Sequence, residues 1–316
     1  MKTITKRLLT LLLGTGMAGI AMPQAYQDIY PDTWVATDGV GRVMPTSEDA
    51  PLKTDKERTV GIFYVTWHTQ GLHDGKEYRA DVSRVLAQDP YASRNNDSPA
   101  WTKSSYHWGE PEWGYFLSQD EYVIRKDMSM LTDAGVDMII FDVTNAVLYW
   151  DEWDVTLRTM AQMKKEGNKV PKFCFWAFNG NVITVVHQLY DKFYKNPRYQ
   201  DLWFYWDGKP LLLYNATPSV DANVGGGEKN LAAYSDEVKQ FFTLRNMWWG
   251  YYEWAGKRYV GTEGNWSFGL QLNDKKVAQM KPEQLAATWK GRYEQMSVTP
   301  AQHPITNVGK SWSRKG

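Results

Sequence analysis

The stretch VDMIIFDVTN, residues 136–145, decides the fold. Its central run of apolar residues is unbroken, which is typical of a strand that is buried on both faces of a parallel sheet. Ala134 and Gly135 stand directly before it and predict the end of a helix. Asp142 and Asn145 stand where the predicted strand emerges. The stretch therefore predicts a helix, a turn and a buried parallel strand with a carboxylate at its end.

The same alternation of helix and strand continues on both sides of this stretch. We predict a helix that begins at Ser118, with Glu121 at the capping-box spacing and with Ile124, Met128 and Leu131 on one face. A short helix is predicted at 81–87, and longer ones near 153–166, 182–194, 228–240 and 282–291. The acids of YWDEWD at 149–154 stand at the start of the first of these longer helices, where negative charge faces the helix dipole favourably. The other predicted strands cover residues 60–67, 172–180, 209–215, 242–250 and 293–304.

This alternation predicts an α/β fold with a parallel sheet. No GxGxxG motif follows the first strand, which disfavours a doubly wound dinucleotide-binding fold. We therefore predict a (β/α)8 TIM-type barrel with a long first βα loop. Six strands are clear; a seventh, WSFGLQ at 266–271, follows its predecessor too closely for a helix between them and is alternatively a loop hairpin. We therefore expect an incomplete barrel, and the alternative is that two strands lie in segments that we assign to loops.

Polar side chains recur just after the predicted strand ends, where barrel enzymes place their chemistry. This set is His68, Gln70, Asp142, Asn145, Asn179, Asn215, Glu253, Gln302 and His303.

The composition is rich in aromatic residues, with 16 Trp, 19 Tyr and 11 Phe among 316 residues. One interpretation is a large aromatic core. The other is a glycan partner, because sugar rings present flat C–H faces that stack on aromatic side chains. The 36 basic and 36 acidic residues balance, which disfavours nucleic acid or an anionic membrane surface as a partner.

The amino-terminal segment predicts export. Lys2, Lys6 and Arg7 precede an apolar run at 8–17, and small residues follow up to Ala21. We predict a signal peptide at 1–21, a leader at 22–58 and the barrel at 59–316, in a periplasmic or secreted protein without a stable membrane span after cleavage. An uncleaved anchor is the alternative. Cys174 has no cysteine to pair with, and the sequence does not indicate the oligomeric state.

The long first loop, from Thr69 to Gln119, contains YHWGEPEWGYF at 106–116. Long loops of this kind tend to be functional. We predict that Trp108, Trp113 and Tyr115 offer flat faces to a sugar and that His107, Glu110 and Glu112 offer hydrogen bonds or proton transfer. The alternative is a loop that fills an apolar gap of its own.

Hydrolysis of a glycosidic bond generally uses two carboxylates. Asp142 and Glu253 are the first predicted pair, and Glu110 is the third candidate. Burial at a strand end raises the pKa of a carboxylic acid such as Asp142, although Asp142 alternatively serves as an acceptor for loop amides. A hairpin turn at 255–257 alternatively makes Glu253 an exposed strand residue. The predicted substrate-binding side chains are Trp67, His68, His107, Trp108, Trp113, Asn145, Trp176, Asn179, Asn215, Trp248, Tyr252, Gln302 and His303.

Other chemistries find little support in the sequence. The five histidines and one cysteine show no HxH, HExxH or CxxC spacing, so we predict no metal and no cofactor. No GxSxG motif is present. The glycines at 225–227 lack the lysine and the Ser/Thr of a phosphate loop.

Three stretches resemble bacterial proteins of the glycoside hydrolase family 71/99-like group. They are WGEPEWGYF, DEYVIRK and MLTDAGVDMIIFDVTN within 108–145, MWWGYYEWAGKRYVGTEGNWSFG at 247–269, and VTPAQHP at 298–304. The resemblance covers about residue 59 to the end. It implies a secreted (β/α)8 barrel that acts on polysaccharides, without indicating which one.

The chain departs from that group at its end. Such relatives continue with a further strand that ends in a WNEW-like motif, whereas this chain ends in SWSRKG. From the sequence we therefore expect a glycoside hydrolase that is truncated at its carboxyl end. The alternatives are a non-catalytic glycan-binding protein on the same barrel and a lyase or esterase that acts on the same polymers.

Overall fold

The computed structural model describes residues 37, 40–43, 58–69, 72–73, 76–77, 79–105, 107–144, 146–178, 181–214, 233–249, 253–254, 257–258, 263–268 and 279–297. The strands and helices, in chain order, are β1 Gly61–Tyr64, β2 Leu72–His73, β3 Lys76–Glu77, α1 Val82–Gln88, α2 Glu121–Asp133, β4 Met138–Asp142, α3 Trp150–Lys165, β5 Lys172–Ala177, α4 Val182–Leu189, β6 Tyr205–Trp206, β7 Lys209–Tyr214, α5 Asp236–Phe241, β8 Thr243–Trp249, β9 Glu253–Trp254, β10 Lys257–Arg258, β11 Asn265–Phe268, α6 Pro282–Leu285, β12 Ala287–Trp289 and β13 Arg292–Gln295.

The main sheet has the strand order β1-β4-β5-β7-β8-β11, and every neighbouring pair in this order is parallel. The order follows the chain without reversal, whereas a doubly wound sheet reverses direction at its switch point. The short strand β6 pairs antiparallel with β7. This winding confirms the predicted fold class: the described strands form part of a (β/α)8 barrel.

The two faces of the sheet are covered differently. Alternate residues of the central strands, such as Phe141 and Phe175, pack against α2–α5 in the larger core cluster. The intervening residues, such as Ile140 and Trp176, point to the other face and form a smaller cluster with Trp206 and Trp266. In a (β/α)8 barrel the helices cover only the outer face of the sheet, and the described helices α2–α5 pack on one face here. The second face therefore corresponds to the inside of the barrel.

Helix α2 ends as predicted but begins later than predicted. The Asp120 carboxylate, rather than the Ser118 hydroxyl, caps it by accepting from the N–H groups of Tyr122 and Val123. Its carboxyl end is a Schellman motif, in which Gly135 has a φ of +75° and Val136 N donates to Leu131 O at 2.9 Å. Helix α3 begins at Trp150 with Asp151 and Glu152 in its first turn, as YWDEWD predicts.

Several predicted elements differ from those observed. The apolar run at 60–67 predicts a strand that is buried on both faces, but the residues of β1 are exposed or half-buried. The reason is that β1 lies at the edge of the sheet and, among the described residues, pairs only with β4. Of the two interpretations of 266–271, the described part agrees with a strand, because β11, Asn265–Phe268, is a parallel strand of the main sheet. The described connection from β8 to β11 holds the hairpin of β9 and β10 instead of a helix.

The last described segment also differs from its prediction. Of the helix predicted at 282–291, only the four residues of α6 are helical. The residues that follow form the antiparallel hairpin of β12 and β13. The described part of the strand predicted at 293–304 therefore pairs with β12 in this hairpin, and residues 298–304 lie outside the described residues. The helix predicted at 182–194 consists of α4 followed by a π-helical turn, Tyr190–Tyr194.

The chain divides into two compact units, Met1–Leu52 and Lys53–Gly316. In the first unit, Thr37 and Val43 form an antiparallel bridge. The predicted signal peptide lies outside the described residues. Within the described part of the chain, no helix combines the length and the apolar character that a membrane span requires.

Candidate functional site

A cavity of about 350 Å³ lies between the carboxyl end of β1 and the long segment that leads to α2. Three stretches line it, at 67–69, 79–83 and 107–117. The cavity therefore lies at the end of a sheet strand where barrel enzymes have their active sites. Its volume falls at the lower end of the range for small-molecule sites, about 300–1,000 Å³.

Backbone contacts hold both ends of the long loop. Ser118 N donates to His68 O at 2.7 Å, and His68 N donates to the Ser118 hydroxyl at 3.1 Å. Arg79 Nη1 donates to the carbonyl oxygens of Trp67 at 2.6 Å and Thr69 at 3.2 Å. The turn after β1 is therefore fixed from two sides, which holds the side chains of Trp67 and His68 at the cavity.

A small cluster at 82–101 supports the opposite wall. Val85, Ala92 and Ala100 are buried together, away from the main core. The indole of Trp101 donates to Ala92 O at 3.1 Å and stacks on His107, with the ring centroids 5.0 Å apart. The position of the His107 ring therefore depends on this cluster.

Aromatic side chains and imidazoles form much of the lining. The rings of Trp67 and Trp108 lie 6.1 Å apart and are tilted by 45°. His68 contacts both Trp108 and Phe116, with its ring centroid 4.9 Å from that of Phe116. Trp108 remains 44% exposed, so part of its ring is open to a ligand.

The electrostatics of the cavity are mild. Burial and the nearby Arg79 charge lower the pKa of His68. Its ordinary value is 6.5, so His68 is a neutral imidazole at pH 7, with one donor and one acceptor nitrogen. Burial and the charge of Glu110 raise the pKa of Tyr115, which shows that Glu110 lies within electrostatic range of a lining residue.

Asp142 lies next to the cavity but is not part of its lining. It ends β4 and is only 2% exposed. Its Oδ1 accepts from Thr144 N at 2.8 Å. Burial raises the pKa of Asp142, and the Thr144 and Trp67 side chains oppose this rise only in part. Both sequence-based interpretations of Asp142, a raised pKa and an acceptor for a loop amide, therefore agree with the structure.

Two predicted stacking residues do not line the cavity. Trp176 is 0% exposed and packs between Phe63 and Phe178, so its ring is covered in this structure; its role in substrate binding stays a prediction. Trp113 instead contacts Tyr122 of α2 at 5.9 Å.

The remaining predicted residues are described only in part or not at all. The backbones of Trp248 and Glu253 lie in β8 and β9, while their side chains are outside the described part. Glu253 stands on a two-residue strand of a hairpin, as its alternative interpretation has it. Residues Asn145, Asn179, Asn215, Tyr252, Gln302 and His303 lie outside the described residues.

Arg79 and Asp81 also line the cavity and are not among the predicted site residues. Asp81 follows a helix-cap pattern, because its carboxylate accepts from Arg84 N at the start of α1. Nothing local to Arg79 indicates its role, since its acceptors are carbonyl groups of the turn after β1.

A second buried cluster of charge lies on the inner face of the sheet. Arg245 and Glu294 form a bidentate ion pair with both bonds at 2.7 Å. Glu294 also accepts from the indoles of Trp206 at 2.6 Å and Trp266 at 2.9 Å. Its oxygens are thus occupied by protein donors, which favours a structural role. Among the described residues, no group of His, Cys, Asp and Glu has the arrangement to hold a metal ion.

Comparison with known proteins gives one distant likeness. The sequence matches no protein-family model and no curated protein. Two solved structures of the GH99 endo-alpha-mannosidase from Bacteroides thetaiotaomicron, one with bis-tris propane, match at 18% and 17% identity. Both matches cover 60% of this chain, with TM-scores of 0.35, and 52% and 55% of those chains.

The chain therefore spans about half the length of these solved structures. Neither neighbour is described as a family 71 protein. A TM-score of 0.35 is too low for this likeness to support the fold. The fold assignment rests instead on the strand order and on the face of the sheet that the described helices cover.

Proposed function

We propose that the cavity beside β1 binds one or two sugar rings of a glycan and that the protein is a carbohydrate-active hydrolase. The observation that carries this proposal is the meeting of Trp67, His68, His107 and Trp108 in one cavity of about 350 Å³. We include export to the periplasm or the cell exterior in the proposal, on the basis of the signal-peptide pattern at 1–21.

The lining suits a neutral saccharide. A pyranose has flat C–H faces that pack against aromatic rings, and its hydroxyls need donors and acceptors at the edges. The tilted pair of Trp67 and Trp108 supplies the apolar surface. The neutral imidazole of His68 both donates and accepts a hydrogen bond, so it suits a hydroxyl, which does the same.

Hydrolysis requires a proton donor and a base. One carboxylic acid protonates the glycosidic oxygen as its bond to the anomeric carbon breaks; a carboxylate either takes a proton from the attacking water or attacks the carbon itself. Glu110 is our first candidate, because it is exposed and stands between the lining residues Gly109 and Pro111. Glu253 and Asp142 remain candidates for the partner carboxylate.

A non-catalytic glycan-binding protein is the second candidate. The observation that favours it is the state of the carboxylates: Asp142 is buried and accepts from Thr144 N, and the lining carboxylate of Asp81 caps α1. In such a protein the cavity binds a saccharide but does not cleave it.

A glycan panel tests both candidates. Purified protein is incubated with plant, fungal and bacterial polysaccharides and their oligosaccharides; binding is measured by calorimetry and products by chromatography. Trp108→Ala removes an exposed lining ring and should weaken binding at least about tenfold. Trp113→Ala is the matched control, because this tryptophan contacts α2 outside the cavity.

The outcomes separate the candidates. Products from the wild type that disappear in Glu110→Gln support hydrolysis with Glu110 in a catalytic role. Binding without products supports the non-catalytic alternative. If no glycan binds, or if Trp108→Ala and Trp113→Ala affect binding equally, the cavity is not the glycan site.

A further inference from the structure

We infer that a second cavity, beside the first, binds a small organic ammonium ion, whose apolar body fills the cavity and whose charge pairs with Asp127. This site requires neither a glycan nor hydrolysis, so it stands apart from the proposed function. A simple amine is enough to test it.

The second cavity has a volume of about 180 Å³ and lies between β1 and α2. Phe63, Phe116, Leu117 and Val123 make much of its lining apolar. His68, Phe116 and Leu117 also line the first cavity, so the two cavities are neighbours. Since an apolar cavity of about 150 Å³ holds a benzene ring, the second cavity suits a body of that size.

Asp127 is the charged group that distinguishes this cavity. It lies on α2 and is half-buried, and its Oδ2 accepts from the Tyr64 hydroxyl at 2.9 Å. In the part of the chain that the structure describes, no Lys, Arg or His forms an ion pair with it. Burial raises the pKa of Asp127, and the Tyr64 bond opposes this rise. Burying a carboxylate without a cation costs free energy, so a bound cation stabilises it.

The neighbouring cations on α2 have other partners. Arg125 forms a two-bond ion pair with Glu166, at 2.7 and 3.1 Å. Lys126 Nζ lies over the ring of Trp113, 5.6 Å from its centroid. Neither of these two side chains therefore neutralises Asp127.

The lining of the second cavity favours a cation as its ligand. Its described lining residues include the carboxylates of Asp120 and Asp127 and neither Lys nor Arg. Asp120 is engaged as the cap of α2, which leaves Asp127 as the carboxylate that a ligand can pair with. The rings of Phe63 and Phe116 add aromatic faces, which attract cations. An ammonium ion beside Asp127 thus meets opposite charge and apolar walls together.

Asp127 and Tyr64 also line a third cavity, of about 220 Å³, which Met130 borders as well. We place the ammonium ion in the second cavity, because that lining adds the ring of Phe116 and the second carboxylate, Asp120. Met130 lines the third cavity and not the second, so it serves to distinguish the two positions.

The test titrates the purified wild-type protein with benzylamine and follows binding by calorimetry. We expect saturable binding with one amine per chain. Benzyl alcohol has the same ring without the charge and should bind at least about tenfold more weakly, because a hydrogen bond between charged groups is stronger than one to a neutral hydroxyl.

Three variants locate the site. Asp127→Asn preserves the shape of the side chain and removes its charge, so it should weaken benzylamine binding at least about tenfold. Asp133→Asn is the matched control, because Asp133 is an exposed carboxylate of the same helix. Met130→Trp narrows the third cavity. Both Asp133→Asn and Met130→Trp should leave benzylamine binding unchanged.

The wild type alone is able to overturn the inference, so the outcome does not depend on the folding of Asp127→Asn. Absence of saturable benzylamine binding contradicts the site, and equal affinities for benzylamine and benzyl alcohol contradict a role for charge. Equal losses in Asp127→Asn and Asp133→Asn, or a loss in Met130→Trp, exclude the second cavity as the position of the amine.

Discussion

At the scale of single residues, Glu294 and Arg245 show how a buried charge is stabilised. Their side chains are only 3% and 4% exposed, and the guanidinium meets the carboxylate with two bonds while two indoles occupy the remaining lone pairs. Arg245 also lies over the ring of Trp289, 4.3 Å from its centroid. These contacts attach the hairpin of β12 and β13 to the inner face of the sheet.

Removing one partner should be costly. We expect Arg245→Met to lower the free energy of unfolding by about 3–5 kcal/mol, because it leaves the Glu294 charge buried without its cation. Urea unfolding measures the change. Arg125→Met is the control, since it breaks an equally short ion pair to Glu166 whose side chains are both 38% exposed; equal losses in the two variants contradict a special role for burial.

The same pair predicts a pH dependence. Burial alone would raise the pKa of Glu294, but bonds from Arg245, Trp206 and Trp266 bring it below the ordinary 4.5. The folded state therefore binds fewer protons than the unfolded state, so the stabilisation is complete above about pH 4.5 and is lost as the pH falls through the folded pKa. Unfolding curves of Glu294→Gln should lack this part of the pH dependence; an unchanged profile argues against it.

At the scale of elements, the start of α2 shows how two neighbouring polar residues divide their roles. Asp120 caps the helix, while Ser118, two residues earlier, exchanges hydrogen bonds with the backbone of His68. The capping-box pattern identifies the right neighbourhood but assigns the cap to the wrong residue.

Two substitutions distinguish these roles. Asp120→Ala should lower stability by about 1 kcal/mol through the lost cap and should leave ligand binding at the cavity unchanged. Ser118→Ala should instead loosen the turn at His68 and affect binding more than helix stability. Thermal unfolding and calorimetry measure the two effects, and a larger stability loss in Ser118→Ala would restore it as the cap.

At the scale of the whole molecule, stability and recognition come from different places. The helix-facing core is built of aromatic rings in mutual contact, with Phe175 touching Phe141, Trp153 and Phe193. The cavity is formed by the loop after β1, with its own small supporting cluster. A change in one region should therefore have little effect on the other.

This separation is testable with one core variant and one surface variant. Phe175→Ala should lower the free energy of unfolding by about 3–5 kcal/mol, through lost burial and the cavity that it leaves. Tyr91→Ala, at an exposed position, should change it by no more than about 0.5 kcal/mol. Urea unfolding checks both values, and comparable losses would mean that the ring cluster is not the stabilising core.

The predictions that succeeded depend on neighbours in the chain. The strand at 138–142, the end of α2 at Gly135 and the acids at the start of α3 follow from apolar runs, glycine conformation and helix dipoles, all of which act over a few residues. Local patterns leave a question open where long-range contacts decide. Asn265–Phe268 pairs in parallel with β8 although no described helix lies between the two strands, and Trp176 is covered by Phe63 and Phe178.

The sequence by itself determined the alternation of helices and strands, the buried position of Asp142 and the aromatic, histidine-containing segment that lines the cavity. The folded structure was needed to show that Arg79 holds the turn after β1 and that Arg245 pairs with Glu294. The physical reason is that periodicity and capping are local, whereas these contacts join residues far apart in the chain. They form only after strand pairing has brought those residues together.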